Sequence, residues 1–163
     1  MDLQLKGKVA IVGGASKGLG RACAQVLAQE GAQLAICSRS APDLERAADE
    51  IRKQTGVEVL VHAGDLDRLD TIEALVAATA KKFGRVDILV NNSGGPPLAK
   101  SFSATEEQWA IAVQRSLLYF ARMARTALPH LKRQGGRIIN ILAGTVYQPI
   151  PNLALSGATD RKS

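Results

Sequence analysis

The chain has 163 residues, of which 46% are apolar and 22% charged, which excludes intrinsic disorder and fits one domain over residues 1–163. Its net charge of +6 is scattered and its aromatic residues are few, so we expect no nucleic-acid partner. The polar N-terminus, the absence of a long apolar run and the spacing of Cys23 and Cys37 predict a cytoplasmic protein with no membrane span, disulfide framework or metal site.

Short apolar runs rich in β-branched residues predict five strands. These runs are Val9–Gly13, Gln33–Cys37, Glu58–Ala63, Val86–Asn91 and Gly136–Leu142. Their nearly continuous apolar character is typical of strands covered on both faces. Helical spacing fills three of the gaps between them, at Gly18–Glu30, Pro42–Gln54 and Arg68–Phe83.

A longer helix is predicted to begin near Thr105, where Thr105 and Gln108 match a capping box. We expect one apolar stripe of this helix to pack in the core. The stripe consists of Trp109, Val113, Leu117, Phe120, Ala124 and Leu128.

Alternating strands and helices predict a doubly wound parallel α/β sheet in three layers, Rossmann-like, with strand order 3-2-1-4-5. Ligands of such sheets bind at the carboxyl ends of the strands, where the winding reverses direction. The loop that starts at Gly94-Gly-Pro-Pro97 either borders such a cleft or is a plain turn.

A glycine-rich turn, Gly14-Ala-Ser-Lys-Gly18-Leu-Gly20, joins the first predicted strand to the first predicted helix. Glycines there let the backbone amides and the positive helix end approach a pyrophosphate. Three glycines alone also occur in ordinary tight turns, so the strand and helix on either side carry the prediction of a phosphate cradle.

Ser38 and Arg39 follow the second predicted strand, where an NAD-specific site has a carboxylate for the ribose 2′-hydroxyl. Arg39 and Lys17 would instead pair with a 2′-phosphate, which favours NADP over NAD. The alternative is that both are solvated surface cations.

Four motifs together resemble those of the classical short-chain dehydrogenase/reductase family, including bacterial 3-oxoacyl carrier-protein reductases. They are the glycine turn with Gly13 in place of the family's threonine, Asp65-Leu66, Asn91-Asn-Ser-Gly94 and Gly136-Arg-Ile-Ile-Asn140. The resemblance implies hydride transfer between a nicotinamide cofactor and a small-molecule carbonyl or alcohol. It implies a cofactor site formed by Gly14, Ser16, Lys17, Gly18, Leu19, Gly20, Ser38, Arg39, Asp65, Leu66, Asn91, Ser93 and Gly94.

The family's catalytic tetrad is not matched in this chain. The positions of its asparagine, serine, tyrosine and lysine fall on Ser116, Ala143, Ser156 and Asp160. An alanine donates no hydrogen bond, and a serine hydroxyl is a far weaker acid than an activated phenol. The remaining candidates for catalysis are Ser116, Ser156 and Tyr147, although a structural role in its loop is favoured for Tyr147, because Pro151 stands where a lysine would be needed.

Members of the family usually continue well beyond the point where this sequence stops, so we expect the fold to be incomplete at its C-terminus. An exposed edge strand would then favour marginal stability or homo-oligomerisation. Three interpretations of function remain open: an NADP-dependent oxidoreductase whose isolated chain is inactive, a non-catalytic NADP(H)-binding module, and a structural fragment without a ligand.

Overall fold

The computed structural model describes residues 3–100 and 103–160, and their strands and helices follow the predicted alternation. The strands are β1 (Val9–Gly13), β2 (Gln33–Ser38), β3 (Val59–Ala63), β4 (Ile88–Asn91) and β5 (Arg137–Asn140). The helices are α1 (Gly18–Gln29), α2 (Ala41–Thr55), α3 (Leu69–Phe83), α4 (Glu106–Val113), α5 (Tyr119–Gln134) and α6 (Ala154–Asp160). Within these ranges no helix combines the length and the apolar character needed to cross a bilayer.

The five strands form one parallel sheet in the order β3-β2-β1-β4-β5, which confirms the predicted topology. Strand β1 lies in the centre, paired with β2 on one side and β4 on the other. All five of its residues are buried, as its uninterrupted apolar sequence requires of a strand covered on both faces.

Two apolar clusters lie on opposite faces of the sheet and make the three predicted layers. One joins side chains of α1 and α2 to the sheet, including Ala24, Leu44 and Ile51. The other joins side chains of α3 and α5, including Leu75 and Met123. Side chains of β1 alternate between the two clusters, and the sheet is therefore the middle layer.

The predicted long helix begins where expected but is divided by a π-helical turn, Gln114–Leu118, between α4 and α5. Its capping box is present: the Gln108 amide donates to Thr105 Oγ1 at 3.2 Å, and the Thr105 amide donates to Gln108 Oε1 at 3.0 Å. Single π-helical turns within α-helices are often found at functional sites.

The predicted apolar stripe of this helix is wrong at two positions. Leu117 and Leu128 are 43% and 40% exposed. The buried face is displaced by one residue along the chain and includes the small or polar side chains of Ala112, Ser116 and Ala127. Small residues let a helix approach the sheet closely, but a search for large apolar residues does not detect them.

Strand β5 is the expected exposed edge strand, and it departs from the general prediction that the apolar runs are covered on both faces. All four of its residues are exposed, with Ile138 at 39% and Ile139 at 48%. It pairs with β4 along one edge, and among the described residues no strand pairs with its other edge. Its apolar sequence therefore predicts that it pairs in the sheet but does not predict whether other elements cover its faces.

Candidate functional site

A cleft of about 490 Å³ opens at the carboxyl ends of β1, β2, β3 and β4, where the winding of the sheet reverses. Its lining contains the glycine turn and the loops that follow the other strands. The lining residues are Gly14, Ser16, Lys17, Leu19, Ser38, Arg39, Ser40, Asp43, Gly64, Asp65, Leu66, Asp67, Asn92, Ser93, Gly94, Arg115 and Tyr119. This set includes every cofactor residue suggested by the resemblance except Gly18, Gly20 and Asn91.

The glycine turn is packed too closely for side chains. A Cβ atom on Gly20 would lie 2.4 Å from the Gly14 carbonyl oxygen, and one on Gly14 would lie 2.7 Å from Asn92 Nδ2. The Asn92 amide also donates to the carbonyl oxygens of Gly13 at 3.2 Å and Gly14 at 3.4 Å. Asn92 thus fixes the turn from the end of β4.

Helix α1 begins at the turn with no side chain of the described residues capping it and no acidic residue in its first turn. Its first amides and the positive end of its dipole are therefore available to an anion. The nearest part of the cleft contains Lys17, Ser38 and Arg39. A dinucleotide fits this arrangement because free backbone amides, cationic side chains and hydroxyls all donate hydrogen bonds to phosphate oxygens.

The loop after β3 forms the opposite wall of the cleft. Asp65 Oδ1 accepts a hydrogen bond from the Asp67 amide at 3.0 Å, which turns the loop towards α3. The Asp67 carboxylate in turn accepts from Arg115 Nε, on the π-helical turn, at 3.2 Å. These hydrogen bonds thus join the loop after β3 to the π-helical turn.

Tyr119 occupies the base of the cleft beside Gly13. Its ring is 1% exposed, its hydroxyl lies 3.4 Å from the Asn92 carbonyl oxygen, and burial raises its pKa well above the usual range. A Cβ atom on Gly13 would lie 2.1 Å from this hydroxyl oxygen. Glycine at position 13 is therefore explained by the space that the Tyr119 hydroxyl takes.

Asn91, predicted to bind the cofactor, is fully buried and does not line the cleft. Its Nδ2 donates to Asn140 Oδ1 at 2.9 Å and so links β4 to β5. No described residue donates to Asn91 Oδ1. In this structure the contacts of Asn91 are those of a residue that supports the end of the sheet.

The catalytic candidates are distributed over three places. Ser116 lies in the π-helical turn, 1% exposed, and its Oγ has no hydrogen-bond partner among the described residues. Ser156, on α6, donates to Asp160 Oδ2 at 2.7 Å and lies 3.3 Å from Thr145 Oγ1. Tyr147 projects into solvent with 93% of its surface exposed. None of the three lines the cleft as described.

The sheet order and the cleft agree with a match to a model of the short chain dehydrogenase family, which covers residues 8–159. The chain belongs to the short-chain dehydrogenase family. Two further motifs of this family member, Asp65-Leu66 and Asn92-Ser-Gly94, line its cleft together with the glycine turn.

The named relatives of this chain include two dehydrogenases. An L-fucose dehydrogenase of Oryctolagus cuniculus is 34% identical over 157 residues, covering 93% of this chain and 54% of the relative. A 1,6-dihydroxycyclohexa-2,4-diene-1-carboxylate dehydrogenase of Pseudomonas putida is 38% identical over 144 residues, covering 86% of this chain and 52% of the relative. The chain thus spans little more than half the length of these relatives.

Solved structures of similar fold support the same family. The L-sorbose reductase of Gluconobacter frateurii, complexed with NADPH and L-sorbose, has a TM-score of 0.95 and 31% identity over 99% of this chain and 62% of that one. The alcohol dehydrogenase of Thermococcus sibiricus, complexed with 5-hydroxy-NADP, has a TM-score of 0.90 and 32% identity over 94% of this chain and 66% of that one.

Several residues that line the cleft were not predicted from the sequence. Asn92 stood inside a recognised motif, yet only the structure shows its amide bound to the glycine turn. Arg115 and Tyr119 lie close to Ser116, the position of the family's asparagine, but the helical pattern carried no signal that they face a cleft. The glycine in place of the family's threonine was the one available sign that position 13 has an unusual neighbour.

Proposed function

We propose that this chain binds a nicotinamide dinucleotide for an oxidoreductase of the short-chain type, with a small-molecule carbonyl or alcohol as substrate. The observation that carries the proposal is the uncapped start of α1, which faces the cleft behind a turn in which Gly14 and Gly20 leave no room for side chains. When bound, the cofactor supplies the hydride donor or acceptor. The residues of this chain hold its phosphates and fix its orientation.

We further propose a preference for NADP(H) over NAD(H). Lys17, Ser38 and Arg39 line the same part of the cleft, and their cationic and hydroxyl groups suit a 2′-phosphate. Asp43 also lines the cleft, but its carboxylate accepts from Ser40 Oγ at 2.7 Å and lies 3.4 Å from Arg46 Nη2. The Asp43 carboxylate is therefore already engaged by Ser40 and Arg46.

Replacing Arg39 by Asp is expected to weaken NADPH binding about tenfold and to leave NADH binding nearly unchanged. Calorimetric titration of both cofactors measures this. The matched control is Arg125→Asp on the exposed face of α5, which makes the same change of charge away from the cleft. An unchanged ratio of the two affinities in Arg39→Asp would show that the arginine does not read the 2′-phosphate.

A second candidate function, cofactor binding without catalysis, is favoured by the residues at the tetrad positions. Ser116, Ala143, Ser156 and Asp160 provide no phenol and no cation beside it. The Ser156 hydroxyl donates to the Asp160 carboxylate, an arrangement that holds the proton and does not favour its release to a substrate oxygen.

The 163-residue chain is accordingly expected to show no NADPH oxidation above the buffer rate. The assay offers a panel of ketones, ketoses and 3-oxoacyl thioesters at cofactor concentrations that saturate binding in the titration. Turnover that persists in Tyr147→Phe but disappears in Ser156→Ala would make Ser156 catalytic and overturn the binding-only function. Turnover that disappears in Tyr147→Phe would assign the acid to Tyr147.

A further inference from the structure

Arg115 lines the cleft from a place that no cofactor motif marks. It lies in the π-helical turn between α4 and α5, and its side chain is 32% exposed. The cleft lining around its end of the wall includes Asp65, Leu66 and Asp67. Arg115 is therefore a cation on the wall of the cleft opposite the glycine turn.

The Arg115 side chain is held in place by one hydrogen bond. Its Nε donates to Asp67 Oδ2 at 3.2 Å. The Asp67 carbonyl oxygen accepts from Gln114 Nε2 at 2.5 Å and from Arg122 Nη1 at 3.2 Å, so Asp67 is itself fixed to the same helix. Because the ion pair engages Nε, the orientation of the guanidinium plane is restricted, while its terminal nitrogens make no hydrogen bond to another described residue.

We infer that the Arg115 guanidinium stacks on the adenine ring of the bound dinucleotide, an inference that rests on the proposed function. A planar, weakly hydrated cation fixed at its Nε is suited to stacking on a flat base. Leu66, on the same wall, supplies an apolar contact for the ring. Asp67 offsets the charge of Arg115, so a phosphate gains less from Arg115 than from Lys17 or Arg39.

The experiment separates stacking from phosphate pairing by the choice of ligand. Adenosine 5′-monophosphate, adenosine 2′,5′-bisphosphate and nicotinamide mononucleotide are titrated calorimetrically against the wild-type chain and the Arg115→Ala and Arg115→Lys variants. Arg125→Ala, exposed on α5, is the matched control. The midpoint of thermal unfolding verifies that each variant is folded, and Arg115→Met replaces Arg115→Ala should the latter not fold.

The expected result is a loss of about tenfold in Arg115→Ala for both adenine nucleotides alike and no change for nicotinamide mononucleotide. Arg115→Lys keeps the charge without the plane and is expected to regain little of the affinity. Full recovery by lysine, a loss confined to the bisphosphate, or unchanged binding in Arg115→Ala overturns the inference alone. A wild-type chain that binds neither adenine nucleotide overturns the proposed function as well.

Discussion

Replacing Asp87 by Ala is expected to lower the free energy of unfolding by about 1–3 kcal/mol, because it leaves a buried backbone amide without its acceptor and removes the partner of the half-buried Arg85. Asp87 is 4% exposed and precedes β4. Its carboxylate accepts from the Val9 amide at 2.9 Å and from Arg85 Nε at 2.8 Å and Nη2 at 2.6 Å. The alanine leaves the Val9 amide without its acceptor at the start of the central strand.

Chemical denaturation with urea measures this loss as a lower midpoint at an unchanged slope. The control is Asp70→Ala, which removes another arginine partner, since Asp70 accepts from Arg68 Nε at 3.1 Å on an exposed surface. We expect little change there because solvent screens an exposed pair. Equal losses in the two variants would show that Asp87 acts only as a surface charge.

Replacing Gly13 by Ala is expected to cost about 1–3 kcal/mol, because the new methyl group overpacks the base of the cleft. The Cβ atom would lie 2.1 Å from the Tyr119 hydroxyl oxygen, and Tyr119 is enclosed by the core and meets Phe120 edge to face at 5.1 Å.

Tyr119→Phe removes the colliding oxygen and is the partner variant. We expect the double variant Gly13→Ala with Tyr119→Phe to be more stable than the sum of the two single losses predicts. Gly144→Ala is the control, since no atom lies within 4 Å of the Cβ that it would add. Strict additivity would mean that the two positions do not interact and that Gly13 has another explanation.

Much of the fold was predictable because short-range patterns determine it. The apolar runs at β1 and β2 were bounded by glycine or polar residues, and their alternation with helices leaves one favoured parallel topology. The exposure of β5 could not be predicted from its own residues, because Ile138 and Ile139 have the same sequence character whether a neighbour covers them or not. The buried face of α4 and α5 was missed because Ala112 and Ser116 are small.

In the candidate site, too, some residues could be predicted from the sequence and others could not. Backbone geometry imposes the glycine turn, so Gly14 and Gly20 are visible in the sequence as glycines. Arg115 reaches the cleft only through the packing of the helix against the loop after β3, and residue type alone does not report such a contact. The absence of a tyrosine at position 156 was visible, but what Ser156 does instead depended on its contact with Asp160.

The position of β1 in the middle of the sheet also determines the order in which the sheet is completed during synthesis. The chain emerges from the ribosome with β1, β2 and β3 in succession, and these three pair with one another. The other edge of β1 stays unpaired until β4 has been synthesised. The Val9 amide likewise donates to Asp87, which lies 78 residues further along the chain. Until that late contact closes, the nascent chain exposes the unpaired edge of β1, which makes this the interval in which pairing with a strand of another chain is most favoured.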